Sequence, residues 1–425
     1  MVEKNRILWY TDFMKIHKWE EAFMDGFITI AAYDSADEIK AKADVVCSGK
    51  NDEHTIQKTV DECVKQGKNI YLFNGTYVID AFYKLKDNGP KCAVCFPNCK
   101  QEISIIGQSL TYGKKGNGVI LYITKEALDT VGDEGADVLR TTWTDLGLGN
   151  GSCLRMENIQ ILLSHNQKPV RWIDVRRCDR PELKNVRLHA FGDINAGFGN
   201  PPPIAVKNCI GLTMTDGSNN SYSNYTNVFA TGFYEGIQVG GEHVVMINCG
   251  AIMCYYGHTF GNYKLNCGAN HPITLINCMD ERNVNLPLFN DCGDGDGHGG
   301  RLHGEQEITM ISFNIERLAE QTPGGVLGDL MREVTPGTFK GQIEFTAQPA
   351  WCHTNEKNFQ LWESDGSGKG FKTRNSCHKL VCDTKERLSY YPMLGQQIFD
   401  TDLNKMLICI DPATKKWVDF SGNEI

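Results

Sequence analysis

Met156-Glu-Asn158-Ile159, Leu183-Lys-Asn185-Val186, Val206-Lys-Asn208-Cys209, Tyr225-Thr-Asn227-Val228, Met246-Ile-Asn248-Cys249 and Leu275-Ile-Asn277-Cys278 share one shape: apolar, variable, asparagine, apolar. Successive asparagines are 27, 23, 19, 21 and 29 residues apart. A unit of roughly 20–30 residues with a buried strand in each turn is what a solenoid coil requires. Stacked coils put equivalent side chains above one another, so the asparagines can bond along the axis as ladders do. A β-sandwich also has many short strands. The common asparagine phase separates the two and predicts an all-β solenoid, from about residue 100 to 320, with Gly/Asn/Asp turns and no long helix.

Upstream of these rungs the pattern changes. Phe27-Ile-Thr-Ile-Ala-Ala32 reads as a strand and Ser35 to Ala43 as a helix. Asn51-Asp-Glu53 is placed to cap a second helix, Thr55 to Gln66, with Ile56, Val60, Cys63 and Val64 on one face. Lys68 to Ile79 reads as two strands around a turn at Asn74-Gly75. Ala43, Asp44, Cys47, Gly49, Asn51, Asp52, Glu53, Ile56 and Gln57, followed by Gly75, Thr76 and Tyr77, resemble the N-terminal cap of pectate-lyase-like proteins. The resemblance covers about 50 residues. It implies a right-handed parallel β-helix with a short helical cap and supplies no catalytic group.

The last stretch carries a second resemblance. Gly395, Phe399, Asp400, Thr401, Leu403, Asn404 and Lys405, then Trp417, Val418, Asp419 and Gly422, match a C-terminal segment of phage and prophage structural proteins. That resemblance implies a β-hairpin addressed to an assembly, phage tail or baseplate proteins as partners, and a virion location. With the β-helix it also implies a homotrimer, because long flat faces and an open last coil need covering. The expected organisation is an attachment segment at 1–30, the β-helix with its cap at 31–320, last coils or a separate β region at 321–390, and the C-terminal β segment at 391–425. In the first segment, Phe13, Ile16, Trp19 and Phe23 fall near helical spacing.

The formal net charge of −9 and the lack of a Lys/Arg run argue against a nucleic-acid surface and an anionic membrane. No 18-residue apolar window suggests a membrane span, and Met1 to Asp25 has no secretory pattern. Seventeen cysteines, many within apolar strands, read as reduced thiols in a chain folded in the host cytoplasm.

Glycan-cleaving β-helices need acids on an outer face, two of them for hydrolysis. A lyase needs a base and neutralisation of a uronate. The polar stretch from His271 to Arg317 is the densest. It offers Asp280, Glu281 and Glu316 as candidate acids, Arg282 as a clamp, and His271, His298, Tyr255 and Tyr256 as substrate contacts. Adjacent Asp280 and Glu281 face opposite sides if they share a strand; the plain alternative is that all three are turn carboxylates. Gly297-His298-Gly299 is similar to the Gly-His-Gly of polygalacturonase-like glycosidases, but the rest of that pattern is missing. Asp291, Asp294 and Asp296 alternate with glycines in a spacing that suits Ca²⁺, and Cys92, Cys95 and Cys99 suit a thiolate metal site; Gly/Asp turns and packed thiols are the plainer readings. No cofactor is expected. The sequence therefore predicts a tailspike-like protein that binds, and by one reading depolymerises, a polysaccharide. A non-catalytic receptor-binding tail protein and a cellular carbohydrate-active enzyme are the alternatives.

Overall fold

The computed structural model describes residues 24–97, 102–110, 118–142, 153–163, 168–190, 206–214, 222–260, 273–289, 307–316 and 381–425, apart from short gaps within these stretches, together with strands Arg332–Glu333 and Gln342–Thr346. The described strands from Phe27–Ala31 to Gln342–Thr346 stack as a parallel β-solenoid with three faces. The first face runs through Phe27–Ala31, Asn69–Leu72, Glu102–Gly107, the start of Cys153–Leu163, Glu182–His189 and Asn224–Thr231, then Val244–Ile247, Ile273–Ile276, Glu307–Ile311 and Gln342–Thr346. The second takes the far ends of the three long strands and continues with Gly250–Ile252, Met279–Glu281 and Asn314–Glu316. The third is a separate sheet from Lys91–Phe96 to Arg332–Glu333. All pairings within these faces are parallel. Inward rows such as Met156, Leu183, Tyr225, Met246 and Leu275 form one continuous core.

The cap shows why its sequence is so particular. Helix Asp52–Gln66 covers the first coils. Asn51 stands at its N-cap in a left-handed conformation (φ 50°) without a side-chain cap bond, contrary to the capping expected of it. The carboxylates after it work instead. Buried Asp52 accepts from the backbone N–H groups of Ser48, Gly49 and Val78. Buried Glu53 accepts from Asp80 N–H and the Tyr83 hydroxyl. Gln57 exchanges two bonds with the Cys95 backbone. The Tyr77 hydroxyl meets the carbonyls of Ile30 and Phe73 at 2.8 Å. Helix and first coils are thus joined through backbone groups that would otherwise be buried unpaired. The turn at Asn74-Gly75 is a bend between two faces: Asn69–Leu72 pairs on the first, while Gly75–Ile79 pairs with Val119–Ile123.

The asparagine rungs form the corner between the first and second faces. Asn158, Asn185, Asn227, Asn248 and Asn277 all have φ between 51° and 56°. Asparagine tolerates this region better than other non-glycine residues, so the strand turns without a break. Asn185 Nδ2 donates to Asn158 Oδ1 at 3.0 Å, Asn227 to Asn185 at 2.9 Å and Asn248 to Asn227 at 2.6 Å; from Asn277 to Asn248 the distance loosens to 3.5 Å. Asn208 is the exception to the expected series. It is left-handed (φ 65°), but it precedes Ile210–Thr213 on the third face and stays outside the ladder. The coil from Asn185 to Asn227 is therefore one turn of 42 residues, not two short ones.

The C-terminal segment has its own small core of Cys382, Ile398, Leu407, Cys409 and Trp417. Strands Gln397–Asp400, Lys405–Asp411 and Lys416–Asp419 are antiparallel, and Val381–Cys382 adds a parallel edge. The residues of the phage-like pattern are its turn chemistry. Buried Asp400 accepts from Thr384, Arg387, Asp402 N–H and Leu403 N–H; Asp419 gathers Lys405, Ser421 N–H and Asn423; Gly422 takes φ 82°. Helices Asp37–Lys40 and Asp52–Gln66 stand where expected, and Lys125–Asp129 and Thr384–Ser389 are additional. The helix expected near residues 10–25 lies almost wholly outside the described residues. Cys47, Cys63, Cys92, Cys95, Cys249, Cys254, Cys278 and Cys409 are free thiols.

Candidate functional site

Asp280 points into the coil. Its Oδ1 lies 2.6 Å from His258 Nδ1 and its Oδ2 accepts from His258 N–H. Asn283 closes the same cluster by accepting from Cys254 N–H and donating to the Ala251 carbonyl. A Cβ at Gly257 would overlap Asp280 and Asn283, which makes glycine part of this arrangement. Burial opposes a charged His258, but the charge and hydrogen bond of Asp280 outweigh it, so the ring titrates above its ordinary value. Asp280 is thus engaged in the core rather than presented to a glycan on an outer face.

Glu281 is half-buried beside it, and its Cα is paired with that of Glu316 on the next rung. Adjacent rungs are about 4.8 Å apart, so these two acids share one row of the second face. Arg282, His271 and His298 lie outside the described residues, as do Asp291, Asp294, Asp296 and Cys99. Cys92 and Cys95 are buried free thiols in strand Lys91–Phe96. No group of three or more His, Cys, Asp or Glu that could hold a metal occurs among the described residues.

One rung below Glu281, at the corner into the third face, three tyrosines meet. Tyr234 and Tyr255 are stacked, with centroids 5.1 Å apart and planes 9° off parallel. Tyr256 packs edge-on against both, at 5.7 and 5.1 Å. Coil stacking sets this arrangement, since Tyr255 and Tyr256 N–H donate to the carbonyls of Phe233 and Tyr234 one turn earlier. Phe233 anchors the corner inside by packing edge-to-face on Trp172 at 4.7 Å. All three tyrosines remain partly exposed, so the rings form a ledge.

Glu235 follows directly on the outward row of the third face, between its register partners Ile210 and Tyr256. Its Oε2 accepts from Gln238 Nε2 and from Thr259 Oγ1, each at 2.8 Å. Burial pushes its pKa up, and these two neutral donors only partly oppose the shift. The Tyr234 hydroxyl is pushed up to about 12 by burial and by the neighbouring Tyr256, Glu235 and Tyr255.

No family model, curated protein or solved structure matches the chain. The site is therefore read from its own chemistry. Further along the third face the polar groups are charged pairs: Arg140 holds Asp87 through two bonds, Arg171 donates to Asp137, and Arg176 grips Asp174. Those pairs are neutralised and nearly all are buried, as structural ion pairs are. The tyrosine corner differs in being partly open, aromatic and adjacent to an acid without a cation.

Tyr255 and Tyr256 were legible as aromatic candidates. Glu235 was not singled out. Its signal was an acid directly after Phe233-Tyr234 at the start of strand Glu235–Val239, whose Ile237 and Val239 are core residues.

Proposed function

We propose that the protein is a tailspike-like appendage of a phage or prophage particle that binds a polysaccharide along its β-solenoid. The observation that carries this reading is the partly exposed stack of Tyr234 on Tyr255, with Tyr256 edge-on beside it. Aromatic faces are apolar, flat and rigid, and they meet the C–H faces of sugar rings at low entropic cost. The solenoid suits an extended ligand, because its equivalent side chains repeat every 4.8 Å or so along one axis. Half-buried Glu281, one rung above Ile252 and the tyrosine corner, adds an acid that can accept from sugar hydroxyls. The match of Asp400, Thr401, Asn404, Lys405, Trp417 and Asp419 to a phage structural segment supports assembly on a particle, with three copies of the chain side by side.

The test is binding of purified O-antigens, capsular polysaccharides, polygalacturonate and alginate, scored by affinity electrophoresis. The reading expects at least one glycan to retard the wild-type chain and Tyr255→Ala to lose that retardation about tenfold or more. Binding of one glycan that survives both Tyr255→Ala and Tyr234→Ala unchanged would move the contact elsewhere.

A further inference from the structure

We propose that Glu235 is a catalytic acid that protonates the glycosidic oxygen of the polysaccharide held on the tyrosine ledge, which makes the protein a glycoside hydrolase. The proposal rests on the glycan-binding reading of the same corner and adds a reaction to it.

The geometry sets this half-buried carboxylate apart from the buried acids among the described residues. Asp52 accepts three backbone N–H groups, and Glu53 a backbone N–H and a tyrosine hydroxyl. Asp137, Asp174 and Asp400 are paired with Arg171, Arg176 and Arg387. Asp280 is paired with His258. Burial raises the pKa of Asp52, Glu53 and Asp137 as it does that of Glu235, so what sets Glu235 apart is the kind of partner it has and not the direction of its shift. Glu235 has neither a backbone N–H nor a cation; its hydrogen bonds come from two neutral side chains, Gln238 and Thr259, and both end on Oε2. They fix the plane of the carboxyl group and leave Oε1 to carry a proton. The walls on either side are Ile210 and Tyr256, with Tyr234 immediately before it in the chain. A carboxyl group in an apolar, aromatic setting holds its proton to higher pH, which is the state a general acid needs before reaction.

The step balances with water as the second reactant. Glu235 gives its proton to the bridging oxygen as the bond from that oxygen to the anomeric carbon breaks. Water then adds to the oxocarbenium-like anomeric carbon and passes its proton to the ionised Glu235, so that this one carboxyl group serves in turn as the acid and the base that the two-acid mechanism divides. One chain end leaves as an alcohol and the other as a new reducing end. Thr259 and Gln238 are positioning residues that hold the carboxyl group and touch no substrate atom.

The experiment uses the full chain with the same four classes of polysaccharide and follows new reducing ends, with affinity electrophoresis alongside. Expected are reducing ends from a glycan that the wild type binds, a loss of about 10²-fold or more in Glu235→Gln with binding within a few-fold of wild type, and an alkaline limb of the wild-type pH profile that reports loss of the Glu235 proton. Thr259→Val should shift that limb while leaving binding in place, which a merely structural role would not do. Glycan bound without reducing ends, or cleavage by Glu235→Gln within about threefold of wild type, overturns the catalytic assignment and leaves the binding reading standing. Failure of wild type to bind any of the four classes overturns both.

Discussion

Asn227 Nδ2 donates to Asn185 Oδ1 at 2.9 Å although 42 residues separate them. The bond fixes both residues in the same left-handed corner, and Asn227 is itself the acceptor for Asn248 at 2.6 Å. Asn185, Asn227 and Asn248 are each held by the rung before and the rung after, so the ladder sets the register of whole coils.

Replacing Asn227 therefore has two separable costs. Asn227→Ala removes two side-chain bonds, each about 0.5–1.5 kcal/mol, and puts a Cβ residue without local compensation at φ 56°, which costs about 1–2 kcal/mol. Asn227→Gly loses the bonds but not the backbone preference. Denaturant unfolding should show Ala destabilising by about 2–5 kcal/mol and Gly by about 1–2 kcal/mol less. Equal losses would mean that the backbone conformation contributes nothing.

The cap makes a similar prediction from a different group. Asp52 is the shared acceptor for Ser48, Gly49 and Val78 N–H, and removing it takes the partner from three part-buried hydrogen bonds. Asp52→Ala should cost about 1–3 kcal/mol, because Gly49 and Val78 are half-buried and the exposed Ser48 N–H can turn to water. Asp61→Ala, on an exposed part of the same helix, should cost well under 1 kcal/mol. A matching loss in the two variants would remove Asp52 from its assigned role.

The coils were legible because a left-handed corner admits few residue types, and asparagine repeated there in phase with the apolar positions around it. Asn208 misled because the same local need arises at a different corner, and spacing alone does not say which face a turn joins. The cap was legible through Asp52, Glu53 and Gln57, whose chemistry is local. The fate of Asp280 was not, since alternation on Met279–Glu281 allows either Asp280 or Glu281 to face inward. What decided it was His258, on another face of the previous coil. Glu235 escaped notice for the same reason: Thr259 and Tyr256, which define its surroundings, come from the next coil.

The His258–Asp280 pair carries a pH signature with a definite sign. The folded pKa of His258 is raised, so the pair stabilises the solenoid fully below the unfolded value of about 6.5 and that contribution fades as pH rises through the folded value. The thermal midpoint of the wild type should fall between pH 6 and pH 9 relative to His258→Gln, which has no such proton to lose. Asp280→Ala should cost about 3–5 kcal/mol near pH 6, because it leaves His258 buried without its counter-charge. A wild-type and His258→Gln difference that stays constant across this range would rule out a protonated ring in the folded state.

The outer side of the first face changes character along its length, and this bears on assembly. Its early coils carry Glu157, Lys184, Arg155 and Glu182, which pair among themselves; Lys184 Nζ is 3.0 Å from Glu157. In the same row the later coils carry Ile247, Ile276 and Ile311, one above the other, with Val245 and Thr274 beside them. Ile247 and Ile311 are each 41 % exposed. A flat, uncharged strip of β-branched residues is costly to leave in water and suits burial against another copy of the chain, where covering an isoleucine contributes about 1.5–3 kcal/mol. We therefore expect three chain masses by light scattering at micromolar concentration. Ile247→Lys combined with Ile311→Lys should shift the mass toward one chain while leaving the circular dichroism spectrum unchanged, because both side chains point away from the core. Lys184→Ala and Glu157→Ala, on the charged part of the same face, should leave the mass as it is. A wild type that is a single chain, or a double isoleucine variant that keeps three chains together, would show that this strip is not where the copies meet.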